Sequence, residues 1–135
     1  MRNALVITVL LSIVATAGFA RGGKEAGDLI GPQEAWEMVQ AGDAVMIDVR
    51  DEASYVEAHI AGALLVPLGQ VGAFAEPLAA RGRTLITYCS CPAEETSIAA
   101  ASELIARGVD DVLVLRGGIR GWALENLPLR SGSRP

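Results

Sequence analysis

Cysteine is scarce in this sequence: Cys89 and Cys91 are the only two in 135 residues. Two thiols cannot build a disulfide framework. Histidine is scarcer, with His59 alone, thirty residues before Cys89. A lone C-x-C with that single histidine supplies too few metal ligands in the wrong pattern, so neither a metal nor a cofactor is expected. Basic residues are also in deficit. Beyond residue 20 there are 10 Lys and Arg against 16 Asp and Glu, a net charge of about −6. That balance lacks the basic patch a nucleic-acid partner needs, and it offers no long-range attraction to anionic substrates. No internal repeat and no sign of a second domain is present; the length suits one domain with a modest core.

What the sequence does have is apolar residues, 51% of the chain, which excludes a largely disordered protein. Part of that fraction sits in the first twenty residues. Arg2 is followed by an uncharged run from Ala4 to Ala20 that ends in small residues. This is the layout of a secretory signal peptide, with cleavage expected after Ala17 or Ala20. The alternative is an uncleaved membrane anchor, for which the run is at the lower length limit. Residues 1–20 are therefore read as an export signal and the protein as periplasmic or secreted. An oxidising compartment requires that a free thiol be protected, kept reduced or used.

The remaining chain alternates β-rich and helical stretches. Residues 21–32 read as a connector, with a linker over 21–29 and a folded domain over 30–129. Pro32 suits the first turn of a helix that stops at Gly42. "AVMIDV", 44–49, is apolar without alternation, as in a strand buried on both faces. A short helix is expected over "EASYVEAH" and a second strand over 62–68. Residues 70–82 read as partly helical, broken or kinked at Pro77. A third strand, "TLITY", spans 84–88. The strongest helix spans 94–108, with Ile98, Ala101, Leu104 and Ile105 on its apolar face and Gly108 as its stop. A fourth strand covers 111–115, a short helix follows Gly117-Gly118, and 130–135 is a loose tail. Such alternation implies an α/β domain with a mainly parallel sheet. Ligands of these sheets bind beyond the carboxyl ends of the strands. Asp48 and Arg50, Cys89, and Gly117-Gly118 all fall there.

Cys89 lies between a buried strand and the start of the best helix. Backbone N–H groups and the helix N-terminus at such a turn favour an anion, so a lowered thiol pKa and a nucleophilic role are expected. The bland reading is a small buried cysteine closing a strand.

The flanking residues decide between these readings. "IDVRDEASYVEAHIAGALLVPL" carries Asp48, Arg50, Tyr55, His59, Ile60, Gly62 and Ala63. "LITYC" leads to Cys89. "LIARGVDDVLVLRGGIRGW" carries Gly108, Gly117, Gly118 and Trp122. In this order and spacing the three resemble the signatures of single-domain rhodanese-like sulfurtransferases. The resemblance runs from Ile30 to Leu129. It implies a five-stranded, mainly parallel sheet flanked by helices on both sides. It also implies chemistry: Cys89 takes a sulfane sulfur from a donor, becomes a persulfide, and passes the sulfur to a thiol or other thiophilic acceptor, small or protein-borne.

The loop departs from the family pattern. The common form reads roughly C-R-x-G-x-R; here it is Cys89-Ser90-Cys91-Pro92-Ala93-Glu94-Glu95, without arginine and with two acids. Phosphatases and arsenate reductases of this fold need C-x5-R to bind an oxyanion, and Glu95 holds the arginine's place. The acids also disfavour thiosulfate and point to a neutral, organic or protein-borne donor. Cys91 has three readings: a passive loop residue, a second thiol that attacks a Cys89 persulfide or sulfenate, or the main nucleophile. A Cys89–Cys91 bridge needs a turn and some strain, because extended residues two apart lie near the limit of about 6.8 Å between Cα atoms. Pro92 works against that turn.

For His59 a structural, hydrogen-bonded role is expected, for Trp122 a core position, and for the Asp48–Arg50 pair the fixing of loops. Gly117-Gly118 should permit close backbone approach beside the cysteine loop. Two rival functions stay open: a non-catalytic binding or sulfur-carrier module of the same fold, and a thiol redox protein using Cys89 and Cys91.

Overall fold

The computed structural model describes residues 24–135. The N-terminal stretch read as an export signal, and the first residues of the connector, lie outside them. Five parallel strands form the central sheet: β1 (Leu29–Ile30), β2 (Ala44–Asp48), β4 (Leu64–Leu65), β5 (Thr84–Tyr88) and β6 (Val112–Leu115), in the order β1-β6-β5-β2-β4. A second sheet pairs β3 (His59–Ile60) antiparallel with β7 (Leu129–Arg130). The helices are α1 (Pro32–Gln40), α2 (Glu52–Glu57), α3 (Val71–Ala79), α4 (Glu95–Ala106) and α5 (Gly118–Leu124).

Every residue of β2 and β5 is buried, which is why neither strand shows polar alternation in the sequence. The two-residue pleat sorts their side chains between two cores. Val45, Ile47, Leu85, Val112 and Val114 face α3 and α4, where Leu78, Ala101 and Leu104 meet them. Ala44, Met46, Ile86, Leu113 and Leu115 face the opposite side, with Tyr55 and Trp122. Trp122 is completely buried; its ring meets Trp36 edge-on at 5.9 Å and its Nε1 donates to the Pro128 carbonyl.

Several sequence expectations change here. Leu29–Ile30 is not connector but an edge strand, in register with Val114 and Leu115. The second strand shrinks to Leu64–Leu65. Pro77 sits inside an unbroken α3. The tail begins as a strand, since Arg130 pairs with His59, and Gly132 N–H donates to the Val56 carbonyl. On α4 the buried face is Ser97, Ala100, Ala101 and Leu104, while Ile98 is 45% exposed. Positions 97, 100, 101 and 104 follow the helical period better than the apolar residues do. A serine therefore replaces an isoleucine on the core line, directly beside Cys89.

Candidate active site

The alternation that sorts the core also separates two polar clusters. Tyr88, the last residue of β5, points to one side of the sheet, and Cys89 to the other.

On the Tyr88 side, Asp48 is fully buried and Arg50 grips it through Nε and Nη2 at 2.9 and 2.6 Å. Tyr88 Oη donates to Asp48 at 2.7 Å and accepts the Ile60 N–H. Arg50 Nη2 also donates to the Ala58 carbonyl. Burial raises the Tyr88 hydroxyl far above its ordinary pKa, and the Asp48 charge adds to this, so it stays protonated. His59 is also fully buried in this region, stacked on Tyr55 with ring centroids 3.8 Å apart, its Nδ1 donating to the Tyr55 carbonyl. It occupies β3. Among the described residues no hydrogen bond joins Asp48, Arg50 or His59 to Cys89. The group locks the crossing from β2 to β3 against the end of β5.

On the opposite side, Cys89 is 1% exposed. Its carbonyl accepts the Ile119 N–H at 3.0 Å. Gly117 and Gly118 both have positive φ, and a Cβ on Gly118 would collide with the Cys89 carbonyl oxygen. The first turn of α5 thus pins the cysteine backbone. Around the sulfur, the Cys91 N–H points at Sγ from 3.4 Å, and Ser97 Oγ lies 3.5 Å away. Ser97 Oγ also lies 3.0 Å from the Glu94 carbonyl, to which it donates while Cys89 is a thiol; the same hydroxyl proton can turn to the sulfur of a Cys89 thiolate. The Cys91 thiol donates to Thr96 Oγ1 at 3.0 Å. Ser97 has one sequence signal, its place in the 97/100/101/104 series, and apolar patterning alone passes over it.

The acids of the loop take backbone donors. Glu94 adopts the left-handed conformation at φ 55°, and its carboxylate accepts the Gly117 N–H at 2.5 Å. Glu95 Oε2 accepts the Ala93 N–H at 3.4 Å. Ser90, Pro92, Ala93 and Glu95 are exposed; Cys91 and Glu94 are partly buried.

The expected lowering of the Cys89 pKa is not found. Burial pushes the Cys89 thiol up, and its hydrogen bond to Cys91 pushes it further; the Ser97 hydroxyl and the Cys91 N–H only partly offset this. The physical reason is burial: loss of water around the sulfur outweighs the N–H groups of Cys91 and of Ser97, in the first turn of α4, that favour the thiolate. Cys91 goes the other way. Burial raises it, but hydrogen bonds from Cys89 and Thr96 outweigh burial and set it below an ordinary thiol. The pair thus holds its negative charge more readily on the outer sulfur.

The chain is similar to known proteins. The model of the rhodanese-like domain matches residues 31–125. The thiosulfate sulfurtransferase GlpE of Coxiella burnetii is 36% identical over 89 residues, 66% of this chain and 80% of that protein. The protein of the same name from Glaesserella parasuis is 31% identical over 103 residues, 76% and 93% of the two chains. Among solved structures, the thiosulfate sulfurtransferase from Pseudomonas aeruginosa superposes with a TM-score of 0.72 at 25% identity, covering 80% of this chain and 21% of that one. The BH2092 protein from Bacillus halodurans gives 0.69 at 27% identity, covering 78% and 77%. The five-stranded parallel sheet, the strand-end cysteine and these matches together place the chain in the rhodanese-like sulfurtransferase family.

Proposed function

We propose that the protein is an exported sulfurtransferase that carries sulfane sulfur as a Cys89 persulfide, with a neutral or protein-borne donor in place of thiosulfate. The observation that supports this most is the placement of Cys89. Its main chain is held by α5 through Ile119 and Gly118, and its sulfur is flanked by the Cys91 N–H and Ser97 Oγ. A thiolate at that point attacks the outer sulfur of a donor. The donor's S–S bond breaks, its leaving group departs with the electron pair, and Cys89 holds the persulfide. An acceptor thiolate then attacks the outer sulfur and releases the Cys89 thiolate. Nothing is oxidised overall. The Cys91 N–H and Ser97 hydroxyl supply dipoles for the negative sulfur at both stages.

Donor choice follows from the loop. No basic residue lies between Cys89 and Ser97. Two of the backbone N–H groups around the site, on Ala93 and Gly117, are already occupied by Glu95 and Glu94. An anionic donor meets like charge and loses those donors, whereas a neutral persulfide does not.

Intact mass after exposure to cysteine persulfide and to thiosulfate tests this reading. The wild-type chain gains one sulfur atom from the first more readily than from the second, and Cys89→Ser gains none. A Cys89→Ser protein that loads like the wild type would overturn the assignment. Processing at Ala17 or Ala20 is read from the same spectra in protein recovered from the periplasm or medium.

A further inference from the structure

We propose that Cys91 is a relay thiol: it takes the sulfane sulfur from Cys89 and presents it to the acceptor at the protein surface. This rests on the Cys89 persulfide reading. The argument begins with access. Cys89 is 1% exposed, and Cys91, partly exposed, lies beside it with its own N–H on the Cys89 sulfur. Among the described residues, one cleft of about 370 Å³ is lined by Tyr55, Val56 and Phe74 and another lies beside Gly72 and Arg107. Neither borders Cys89. With a small neutral donor such as cysteine persulfide the relay divides the work: the donor loads the inner sulfur, and the bulkier thiol of a folded acceptor collects the sulfur at the more exposed Cys91.

The two thiols are also anchored side by side. Cys91 Sγ bonds Thr96 Oγ1, Cys89 Sγ lies against Ser97 Oγ, and Thr96 and Ser97 are consecutive residues in the first turn of α4. One rigid helical turn therefore sets the spacing of the sulfurs. Cys91, anchored beside Cys89 and the more exposed of the two, is the attacking partner.

Transfer and disulfide closure need different sulfur spacings. In-line transfer needs one sulfur between two others, with the outer pair about 4 Å apart, or two S–S lengths. A Cys89–Cys91 disulfide would need the same atoms at about 2.05 Å and a strained turn ahead of Pro92. In the transfer, the Cys91 thiolate attacks the outer sulfur of the Cys89 persulfide. A Cys91 Sγ–S bond forms and the Cys89 Sγ–S bond breaks. The electron pair stays on Cys89 Sγ, which takes up the proton of the perthiol. The step is an isomerisation and needs no oxidant or reductant.

The test loads wild type, Cys89→Ser and Cys91→Ser with cysteine persulfide, alkylates them, and locates the sulfur by fragmenting the peptide that holds both cysteines. Single-turnover delivery is then measured to cyanide, which is small, and to reduced thioredoxin, a folded protein thiol. The relay predicts sulfur on both cysteines of the wild type and none on Cys89→Ser. Cys91→Ser should load at Cys89 and serve cyanide, while delivery to thioredoxin falls about tenfold or more, as for loss of a positioned nucleophile. Equal delivery to both acceptors by Cys91→Ser, or sulfur confined to Cys89 in the wild type, overturns the relay and leaves the Cys89 reading standing. Direct loading of Cys91 in Cys89→Ser overturns the order of transfer. A wild-type chain that takes no sulfur overturns the Cys89 reading and the relay together.

Discussion

Gly118 lies against the carbonyl oxygen of Cys89 so closely that a single methyl group there would overlap it. The contact couples two parts of the chain 29 residues apart, the end of β5 and the first turn of α5. Next to it, the Glu94 carboxylate reaches the Gly117 N–H, and Ile119 N–H reaches the Cys89 carbonyl. The loop that carries both cysteines is thus held from outside as well as by α4.

The first prediction follows directly. Gly118→Ala meets backbone, which cannot swing aside as a side chain does, at φ 53° where only glycine is unstrained. It should lose at least about 2 kcal/mol of stability and displace Cys89 from its flanking donors. Urea unfolding read beside the sulfur-loading rate checks both. A variant as stable and as active as the wild type would show that the contact is dispensable.

Asp48→Asn isolates the other polar cluster. The substitution leaves Arg50, 11% exposed at its side chain, without its anion, and leaves a single carboxamide oxygen to accept from both Arg50 and Tyr88. Breaking a buried pair from one side costs about 3–5 kcal/mol. Because the cluster lies across the sheet from Cys89, loading per folded molecule should stay near the wild-type rate. A chain of normal stability that no longer loads sulfur would move Asp48 into the chemistry.

The thiols should label in a definite order. Cys91 is below the ordinary thiol range through its bonds to Cys89 and Thr96, while burial holds Cys89 above it. Reactivity follows the thiolate. Raising the pH from acid should bring alkylation of Cys91 first and of Cys89 only above the pKa of free cysteine, followed by peptide mass. Sulfur uptake by Cys89 should climb over that same higher range. Simultaneous labelling would contradict this charge distribution.

Ser97→Ala removes a hydroxyl that favours the Cys89 thiolate. With that support gone, the Cys89 pKa rises further, so the uptake profile should move to higher pH. At neutral pH the rate should fall by about tenfold, as for one lost charge-stabilising donor. Ser97→Thr keeps the hydroxyl and should recover part of the loss. An unshifted profile for Ser97→Ala would assign the residue to packing alone.

Glu95→Gln removes one exposed negative charge from the loop. Its carboxamide oxygen can still accept the Ala93 N–H. Use of thiosulfate should increase about threefold while use of cysteine persulfide stays level, the scale of one charge near the surface. Added salt should shrink that difference. A change of the same size with both donors would point to loop structure instead of charge.

The parallel sheet was legible because β2 and β5 are buried on both faces and so lack polar alternation. Cys89 stood out because a strand stops and the best helix starts on either side of it. Short edge elements were not legible: β1, β4, β3 and β7 are two residues each, too short to show any period. Ser97 escaped for a different reason. Apolar patterning assigns the core face of α4 to Ile98, and only the packed structure turns the helix so that a hydroxyl meets the cysteine.

The sequence by itself determined the fold family, the position of the strand-end cysteine and the acidic, arginine-free character of its loop. These depend on local residue order and on signatures read in register. Tertiary structure decided which sulfur holds the charge and which groups surround it. Burial of Cys89 and the one-residue alternation that sends Tyr88 and Cys89 to opposite faces are properties of packing. A thiol's pKa follows its desolvation and its hydrogen bonds, and neither exists until the chain has closed around it.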